Sequence, residues 1–349
     1  MALRISLCEY RLLFKRPFGT AHGLRNGTDA LFIRVEERGF TGYGEVTLPP
    51  YLEETIPGAI DRITSIAGKG PWSADGLLAG LDRLPEFGLN TNGSRAGLHM
   101  ALLDLIGQRD RVLIKHLLQI DAEETPITLM TIGICDHKEV PSRLAELPDS
   151  GALKLKIGDP DAMDRVTTVK WLDNRMLFLD GNQGYSSVKE VVKLVEGIGT
   201  DRFLGIEQPF TAKMDGSNPA LARATRIPVY GDESIQSLGD IVEVGHLFQG
   251  VNVKLMKCGG LDRAAEMIRR ARSKGLHIML GSMSESSLGC TAMAHLGCAA
   301  DLVDLDGPWL IKNDPFLGVK MENGRMIKSQ QPGLGVTMTV HLNFAPIGA

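Results

Sequence analysis

The part of the chain after residue 120 alternates short apolar runs with amphipathic segments. Eight runs have the length and β-branched character of buried strands, and they read PITLMTIG, GALKLKIG, RMLFLDGN, FLGIEQP, IPVYGDE, GVNVKLMK, LHIMLGSM and DLVDLDGP. Helical periodicity lies between them, as in SSVKEVVKLVEGI and GLDRAAEMIRRARSKG. This alternation predicts an α/β fold with a closed parallel barrel over residues 121–325. A doubly wound open sheet is the main alternative, but no GxGxxG sequence follows a strand.

The first 120 residues follow a different pattern. ISLCEYRLLF, ALFIRVEE and GFTGYGEVT alternate as strands of a β-meander, and a helical pattern follows, so we predict an α+β domain over residues 1–120. Residues 17–29 are rich in glycine and carry His22 and Arg25, which predicts a long loop that is either a flexible connection or a binding loop. Residues 326–349 form a C-terminal segment of coil and short strands, whose return to the N-terminal domain is left open.

The composition excludes several classes of protein. The 349 residues are 43% hydrophobic and 23% charged with a net charge of -4, which is ordinary for a soluble protein and unlike a nucleic-acid-binding surface. No apolar run approaches the roughly 18 residues that cross a bilayer, and the charged N-terminus does not resemble a signal peptide. The five cysteines are scattered without a CxxC pair, so we expect reduced thiols and a cytoplasmic location.

Charged residues recur where the predicted strands end. Lys156, Asp180, Glu207, Asp232 and Lys257 follow one another at steps of 24, 27, 25 and 25 residues. In a β/α barrel the carboxyl ends of the strands surround one shared mouth. Three carboxylates that converge there need a cation between them, and oxygen ligands without His or Cys favour Mg²⁺. A single strand-end Asp is more often a helix cap or turn residue, but three in succession favour a metal site.

The two lysines add a second constraint. We predict that Lys156 ends the second barrel strand and Lys257 the sixth, four strands apart in a ring of eight, so that they face each other. A metal that binds a substrate carboxylate would stabilise an enediolate, while one lysine removes the α-proton and the other returns a proton on the opposite face. Solvated lysines at strand ends are the simpler interpretation of either residue alone.

A pair of acids lies in the last predicted strand. Asp304 and Asp306 are two residues apart, so their side chains would point to the same face of the strand. Because the metal already has its ligands, two further acids near a bound substrate suggest that they hold an ammonium group. A surface acidic turn before Gly-Pro is the alternative.

Together these motifs resemble the enolase superfamily, in particular its muconate-lactonizing-enzyme subgroup. The resemblance is carried by KLK at Lys154–Lys156, LDGNQG, IEQP, GDES and NVKLMKCGG, and DLDGP resembles the DxD signature of dipeptide epimerases. It implies a modified (β/α)₇β TIM-like barrel with an N-terminal α+β capping domain and one Mg²⁺ per subunit. It also implies epimerisation at the C-terminal residue of a dipeptide such as L-Ala-L-Glu, in the recycling of cell-wall peptides.

The resemblance also assigns roles to further residues. Lys154, Thr131 and Ser282 would line the substrate, with Asp304 and Asp306 on its ammonium group. Arg25 of the capping segment is the candidate for a glutamate side chain. The groups expected to support the ligands and bases are Asn182, Glu233 and Lys254.

Other functions stay open at this point. N-acylamino-acid racemases, o-succinylbenzoate synthases and cycloisomerases use the same scaffold, but their substrates lack the ammonium group that the acidic pair would hold. A Schiff-base aldolase would use one lysine as a nucleophile without a three-carboxylate metal site. A barrel that only binds a ligand would not need the complete set of catalytic groups. The expected partner is a small molecule, with no nucleic acid or membrane, and a homo-oligomer is left open.

Overall fold

The computed structural model describes residues 2–88, 91–120 and 125–348. The strands are β1 (Arg4–Thr20), β2 (Gly23–Glu37), β3 (Phe40–Thr47), β4 (Leu129–Ile132), β5 (Ala152–Lys156), β6 (Leu177–Asp180), β7 (Phe203–Glu207), β8 (Val229–Gly231), β9 (Gly250–Lys254), β10 (His277–Gly281), β11 (Leu302–Asp304), β12 (Phe316–Leu317), β13 (Lys320–Glu322), β14 (Arg325–Ile327), β15 (Thr337–Met338) and β16 (Ala345–Ile347). The α-helices are α1 (Ile56–Gly68), α2 (Ala74–Gly80), α3 (Asn92–Asp110), α4 (Ile114–Leu117), α5 (Val140–Leu144), α6 (Ala162–Leu172), α7 (Val188–Ile198), α8 (Asn218–Thr225), α9 (Leu238–Glu243), α10 (Leu255–Cys258), α11 (Leu261–Ser273), α12 (Ser287–Ala294) and α13 (Gly307–Leu310).

The barrel is built from the eight predicted strands. β4 to β11 are parallel and pair in the order of the chain, and a parallel bridge between Thr128 and Val303 joins the last strand to the first. The barrel interior holds a separate apolar cluster that includes Leu129, Phe178 and Met279. The predicted α/β barrel with an α+β cap is therefore confirmed. The two helices predicted from their periodicity are present as α7 and α11.

The cap is an antiparallel sheet covered by helices. Its strands lie in the order β16, β1, β2 and β3, and α3 packs across β3. Gly42 and Gly44 allow this close approach, since a Cβ on Gly44 would lie 2.0 Å from the carbonyl oxygen of Gly97 and one on Gly42 would lie 2.1 Å from that of Ala101. The sheet and helix thus share one core.

Helix α3 is buried on every side, because the cap sheet covers one face and the barrel elements α10 and α11 cover another. Its apolar residues Leu98, Leu102 and Leu105 are buried, and Arg95 and His99 are buried with them. Arg95 donates hydrogen bonds to Asp262 in α11 at 2.8 and 3.1 Å. Polar positions of this helix therefore form one of the contacts between the two domains.

Two connections differ from a simple loop or tail. Residues 17–29 do not form the predicted long loop, since β1 and β2 continue to Thr20 and Gly23 and pair there as a hairpin. The pairing of β1 with β2 is interrupted by a register shift between Leu13 and Phe18. It then resumes with Phe18 opposite Arg25, which extends both strands into this segment. In the C-terminal segment, β16 pairs with β1 through Ile5 and Ile347. No helix within the described ranges is long and apolar enough to cross a membrane.

Candidate active site

A cavity of about 350 Å³ lies between the barrel mouth and the cap. The barrel contributes residues at the carboxyl ends of its strands, which are Thr131, Lys154, Lys156, Asn182, Asp232, Glu233, Lys254, Ser282, Met283, Ser284, Asp304, Asp306 and Leu310. The cap contributes the hairpin tip and the segment after β3, which are Phe18, Thr20, His22, Gly23, Leu24, Arg25, Pro49, Pro50 and Tyr51. The two domains therefore enclose the site together, which is the usual location of a site on this fold.

Strand register brings the predicted acids together. Lys156 pairs with Asp180 across β5 and β6, and Asp180 pairs with Glu207 across β6 and β7. Asp232 directly follows β8. All three acids are almost completely buried, with exposures of 0%, 0% and 1%. The ends of three neighbouring strands thus place three carboxylates side by side, as their spacing predicted.

The ammonium groups of Lys154 and Lys156 lie among these acids. Lys154 Nζ contacts Asp180 at 3.0 Å, Glu207 at 2.5 Å and Asp304 at 2.6 Å. Lys156 Nζ donates to Asp180 Oδ2 at 2.6 Å. Burial alone would raise the pKa of Asp180, but the charges of Lys154 and Lys156 outweigh it and lower that pKa.

The prediction that Lys257 ends the sixth strand is wrong. β9 stops at Lys254, whose ammonium lines the cavity and donates to Asp232 Oδ2 at 2.7 Å. Lys257 lies one helical turn further on in α10 and is not a cavity residue. Lys257 as a whole is 1% exposed, and its ammonium donates to Asp232 Oδ1, to the Asp232 carbonyl and to the Asn252 carbonyl. Lys254 therefore takes the position opposite Lys156, four strands away in the ring.

Amide side chains hold the acids in place. Asn252 Nδ2 donates to Glu207 Oε1 at 2.7 Å, and Gln208 Oε1 accepts from the backbone N–H of Asp232 at 2.9 Å. Gln208 also has a left-handed backbone with φ of 33°, a conformation that is uncommon for residues other than Gly and often marks a functional site. Neither residue was predicted, although Gln208 belongs to the IEQP motif that carries Glu207.

The acidic pair lies on the cavity wall, but not on one strand. β11 ends at Asp304, whereas Asp306 occupies the N-cap position of α13, so the rule of alternating side chains does not explain why both line the cavity. Asp306 Oδ2 accepts from the N–H of Thr131 at 2.6 Å. Burial, together with the charge of Asp304, raises the pKa of Asp306 to about 6. Ser282 lies beside this pair, with its N–H donated to the Asp304 carbonyl.

The site contains more acidic groups than basic groups. Its buried ionisable groups are the six acids Asp180, Glu207, Asp232, Glu233, Asp304 and Asp306 and the four lysines Lys154, Lys156, Lys254 and Lys257. Burial and the neighbouring Asp180 raise the pKa of Glu207 to about 8. Burial and Asp232 raise that of Glu233 to about 7. Both shifts are expected where carboxylates outnumber cations.

The donor set fits a hard divalent cation. Oxygens of Asn182, Glu233 and Asp304 are buried without a hydrogen-bond partner in the described part of the chain, and oxygen ligands are those that Mg²⁺ prefers. Over residues 2–88, 91–120 and 125–348, no group of three or more His, Cys, Asp or Glu side chains has the geometry to hold an ion directly. The ammonium groups of the cavity-lining lysines Lys154, Lys156 and Lys254 contact the carboxylates instead, so ion binding requires these three lysines to move aside.

Several cavity residues were missed from the sequence. Tyr51 lies over the barrel mouth with its hydroxyl 3.3 Å from Met283 Sδ, and burial raises its pKa well above the usual value, so it stays a neutral phenol. Tyr51 follows Pro49-Pro50, outside any helical or strand periodicity, so the sequence pattern did not point to it. Arg25 was predicted and does line the cavity, where its guanidinium lies 6.0 Å from the Phe14 ring centre.

A cap over a β/α barrel, with acids and lysines at the strand ends, defines a class of metal-assisted barrel enzymes. The chain matches the family described as mandelate racemase / muconate lactonizing enzyme, N-terminal domain, over residues 5–118, and the enolase C-terminal domain-like family over residues 143–341. The chain therefore belongs to the mandelate racemase / muconate lactonizing enzyme family of the enolase superfamily.

Named relatives are similar along nearly their whole length. An L-Ala-D/L-Glu epimerase of Bacteroides thetaiotaomicron is 29% identical over 338 residues, which cover 96% of this chain and 88% of the relative. An L-Ala-D/L-amino acid epimerase of Flavobacterium johnsoniae is 30% identical and is covered at 96% and 100%. The structure of a dipeptide epimerase from Methylococcus capsulatus, complexed with Mg and L-Arg-D-Lys, has a TM-score of 0.80 and 26% identity, with coverage of 96% and 99%.

Proposed function

We propose that this chain is a Mg²⁺-dependent dipeptide epimerase that inverts the α-carbon of the C-terminal residue. The observation that carries the proposal is the position of Lys156 and Lys254 on opposite sides of one cavity, with the buried acids between them and Asp304 and Asp306 on its wall. The relatives that are named as epimerases of L-Ala dipeptides support this substrate class.

Asp180, Glu207 and Asp232 are the groups that would hold Mg²⁺. When bound, the ion would supply positive charge to a substrate carboxylate as its α-carbon loses a proton. The six buried acids outnumber the four buried lysines by two, and the raised pKa values of Glu207 and Glu233 are those of acids that lack a cation, which supports a divalent ion. The Methylococcus relative is a Mg complex. Lys154, which contacts Asp180 and Glu207, would then be free to bind the substrate carboxylate.

Lys156 and Lys254 would be the two bases. Each approaches the cavity from its own side, so that one removes the α-proton and the other delivers a proton to the opposite face. Asp232 and Glu207 raise the pKa of Lys254 against the effect of burial. Lys254 therefore accepts a proton near neutral pH only when those carboxylates neutralise another cation, which makes its action dependent on the ion.

Asp304 and Asp306 would bind the α-ammonium group of the dipeptide. Asp304 Oδ1 is buried without a hydrogen-bond partner among the described residues, and an ammonium donor would satisfy it. N-acylated substrates offer no such cation, and two acids facing a neutral amide would disfavour them. This acidic wall therefore favours dipeptides over N-acylamino acids.

Arg25 would select an acidic side chain on the inverted residue. Burial lowers its pKa, and the acidic side chains of the described chain contribute nothing that offsets this shift. A cation at the rim of an enclosed cavity attracts a glutamate carboxylate, which makes L-Ala-D/L-Glu the first substrate to test. Recycling of cell-wall peptides in the cytoplasm would supply such dipeptides, and the five free cysteines suit a reducing compartment.

The test is α-proton exchange in D₂O, followed by mass spectrometry. Pooled L-Ala-L-Xaa dipeptides are incubated with enzyme and Mg²⁺, and a parallel sample contains a chelator. A gain of one mass unit in particular dipeptides, absent with the chelator, is the expected result. Exchange in N-succinyl amino acids alone would instead indicate a racemase. Inactivation by borohydride in the presence of a carbonyl substrate would indicate a Schiff-base enzyme.

A further inference from the structure

Lys257 is a buried cation for which the proposed reaction has no catalytic use. Its ammonium has three N–H groups and three acceptors, which are Asp232 Oδ1 at 2.6 Å, the Asp232 carbonyl at 2.6 Å and the Asn252 carbonyl at 2.9 Å. All donors of this ammonium are therefore used. A side chain fixed in this way holds its neighbours in one geometry and has no N–H group left to bind substrate.

The neighbours that it holds are groups proposed to bind Mg²⁺. Lys257 donates to one carboxylate oxygen of Asp232, while Lys254 donates to the other. It also fixes the backbone of Asn252, whose side-chain amide donates to Glu207. One ammonium thus sets the orientation of Asp232 directly and of Glu207 through one intermediate residue.

The cap also fixes the helical turn α10, which carries Lys257. Asn92, at the start of α3, donates to the Lys257 carbonyl, and Arg95 donates to the Gly259 carbonyl. Gly260 has φ of +143°, and a Cβ there would lie 2.9 Å from Arg95 Nη1, so the glycine leaves room for the arginine. Cap side chains therefore hold the backbone of the segment 257–260 from outside the barrel.

We propose that Lys257 is a positioning residue that couples docking of the cap helix α3 to the metal affinity of the barrel. The contacts run from Asn92 and Arg95 to the α10 backbone, from Lys257 to Asp232, and through Asn252 to Glu207. The inference rests on the proposed function insofar as these acids bind Mg²⁺. Residues that orient metal ligands from outside typically change metal affinity or activity by about 10–100-fold when mutated.

The first variant is Asn92→Ala, which removes the hydrogen bond to the Lys257 carbonyl and the one that Asn92 Oδ1 accepts from Arg263 at 3.2 Å, but leaves every cavity residue in place. The matched control is Asn313→Ala. Asn313 also joins barrel to cap by an amide side chain, since its Oδ1 accepts from the Leu13 N–H at 2.7 Å and its Nδ2 donates to the Arg11 carbonyl at 2.9 Å. Both substitutions break an interdomain hydrogen bond, but only Asn92 contacts the α10 turn.

Two measurements are made on the full chain. Isothermal titration with Mg²⁺ should show an affinity loss of about 3–10-fold for Asn92→Ala, the range that one hydrogen bond supports, and less than about twofold for Asn313→Ala. Hydrogen–deuterium exchange of the peptide covering 229–235 should rise in the first variant only. Equal changes in both variants would overturn the inference, since they would reflect loosened domains and not a specific path.

A third variant tests Lys257 itself. Lys257→Met should weaken Mg²⁺ binding by about 10–100-fold, although it removes a positive charge that repels the ion. Binding as tight as in the wild type, or tighter, would show that Lys257 acts only through its charge, and would overturn the proposal. If this variant does not fold, the Asn92→Ala comparison decides alone.

The outcomes separate the inference from the proposed function. A wild-type chain that binds no Mg²⁺ removes the proposed metal site, while the exchange rates of 229–235 still test the path from the cap to Asp232. A chain that epimerises dipeptides with Mg²⁺, but whose two asparagine variants behave alike, keeps its function and loses the inference.

Discussion

Two pairs of lysines lie at the ends of two strands of one barrel, and they differ in where the strand stops. Lys154 and Lys156 both belong to β5, and both line the cavity. Lys254 is the last residue of β9, whereas Lys257 lies in α10 and is sealed from the cavity by its three acceptors. A strand that continues presents two lysines to substrate, whereas a helix that begins early converts the second lysine into an internal anchor.

The largest expected difference between Lys254 and Lys257 is in catalysis. Lys254→Met should lower epimerisation by roughly 10²–10⁴-fold, as expected for loss of a general base, and should retain α-proton exchange for one epimer only. Lys156→Met is the matched variant and should retain exchange for the other epimer. Proton NMR in D₂O on each pure epimer measures both. Selective loss for one epimer in Lys257→Met would instead restore Lys257 as a base.

For the stability of the fold, we expect Lys257 to matter more than Lys254, which is the reverse of their order in catalysis. Lys257→Met leaves Asp232 and two carbonyl groups without their donor inside the protein, so the free energy of unfolding should fall by about 3–5 kcal/mol. Lys254→Met should cost less, because water in the cavity can reach the same carboxylate. Urea unfolding of both variants gives the comparison. A larger loss for Lys254→Met would mean that Lys257 is not the stronger anchor.

The acids at β11 offer a third pair, divided between a strand and a helix as Lys254 and Lys257 are. Here both members reach the cavity, and Asp306→Ala should raise KM for free dipeptides by more than tenfold, consistent with about 1.5–3 kcal/mol for a hydrogen bond to a charged group. N-acetylated dipeptides serve as the control and should be affected much less. Equal effects on both substrates would remove the ammonium-binding role.

The smallest effect concerns a cation at the cavity rim. Arg25→Leu should lower kcat/KM for L-Ala-L-Glu by roughly fivefold, since a partly exposed ion pair contributes up to about 1 kcal/mol. The value for L-Ala-L-Leu should stay within about twofold. Steady-state kinetics with both dipeptides would show the change. An equal decrease for both dipeptides would mean that Arg25 supports the structure of the hairpin tip and does not bind the substrate side chain.

The sequence could predict the barrel because its strand and helix periodicities are regular, and because acids recur at nearly equal steps. It could not predict where β9 ends. Val251, Val253 and Leu255 continue an alternating pattern, and only the tertiary contacts show that the helical turn begins at Leu255. A regular step of 25 residues pointed to Lys257, although the position that faces the cavity is three residues earlier.

Contacts between the domains were also beyond sequence reasoning. Residues 17–29 were predicted as a loop because of their glycines. In the structure the hairpin extends through them, because Phe18, Gly19 and Thr20 pair with Arg25, Leu24 and Gly23. Tyr51 reaches the barrel mouth only because the cap places its loop there. Arg95 and His99 break the apolar pattern of α3, and their burial depends on Asp262, which lies 167 residues after Arg95.

Pairing of β16 with β1 affects the order in which the molecule can assemble during translation. Residues 345–347 cover one edge of the cap sheet, but they follow all eight barrel strands in the chain. A nascent chain therefore carries β1 with an open edge while the ribosome makes the barrel, and an open edge can pair with other strands. Charged residues at Arg4, Glu9 and Arg11 lie along that strand, where they would discourage such pairing until β16 arrives.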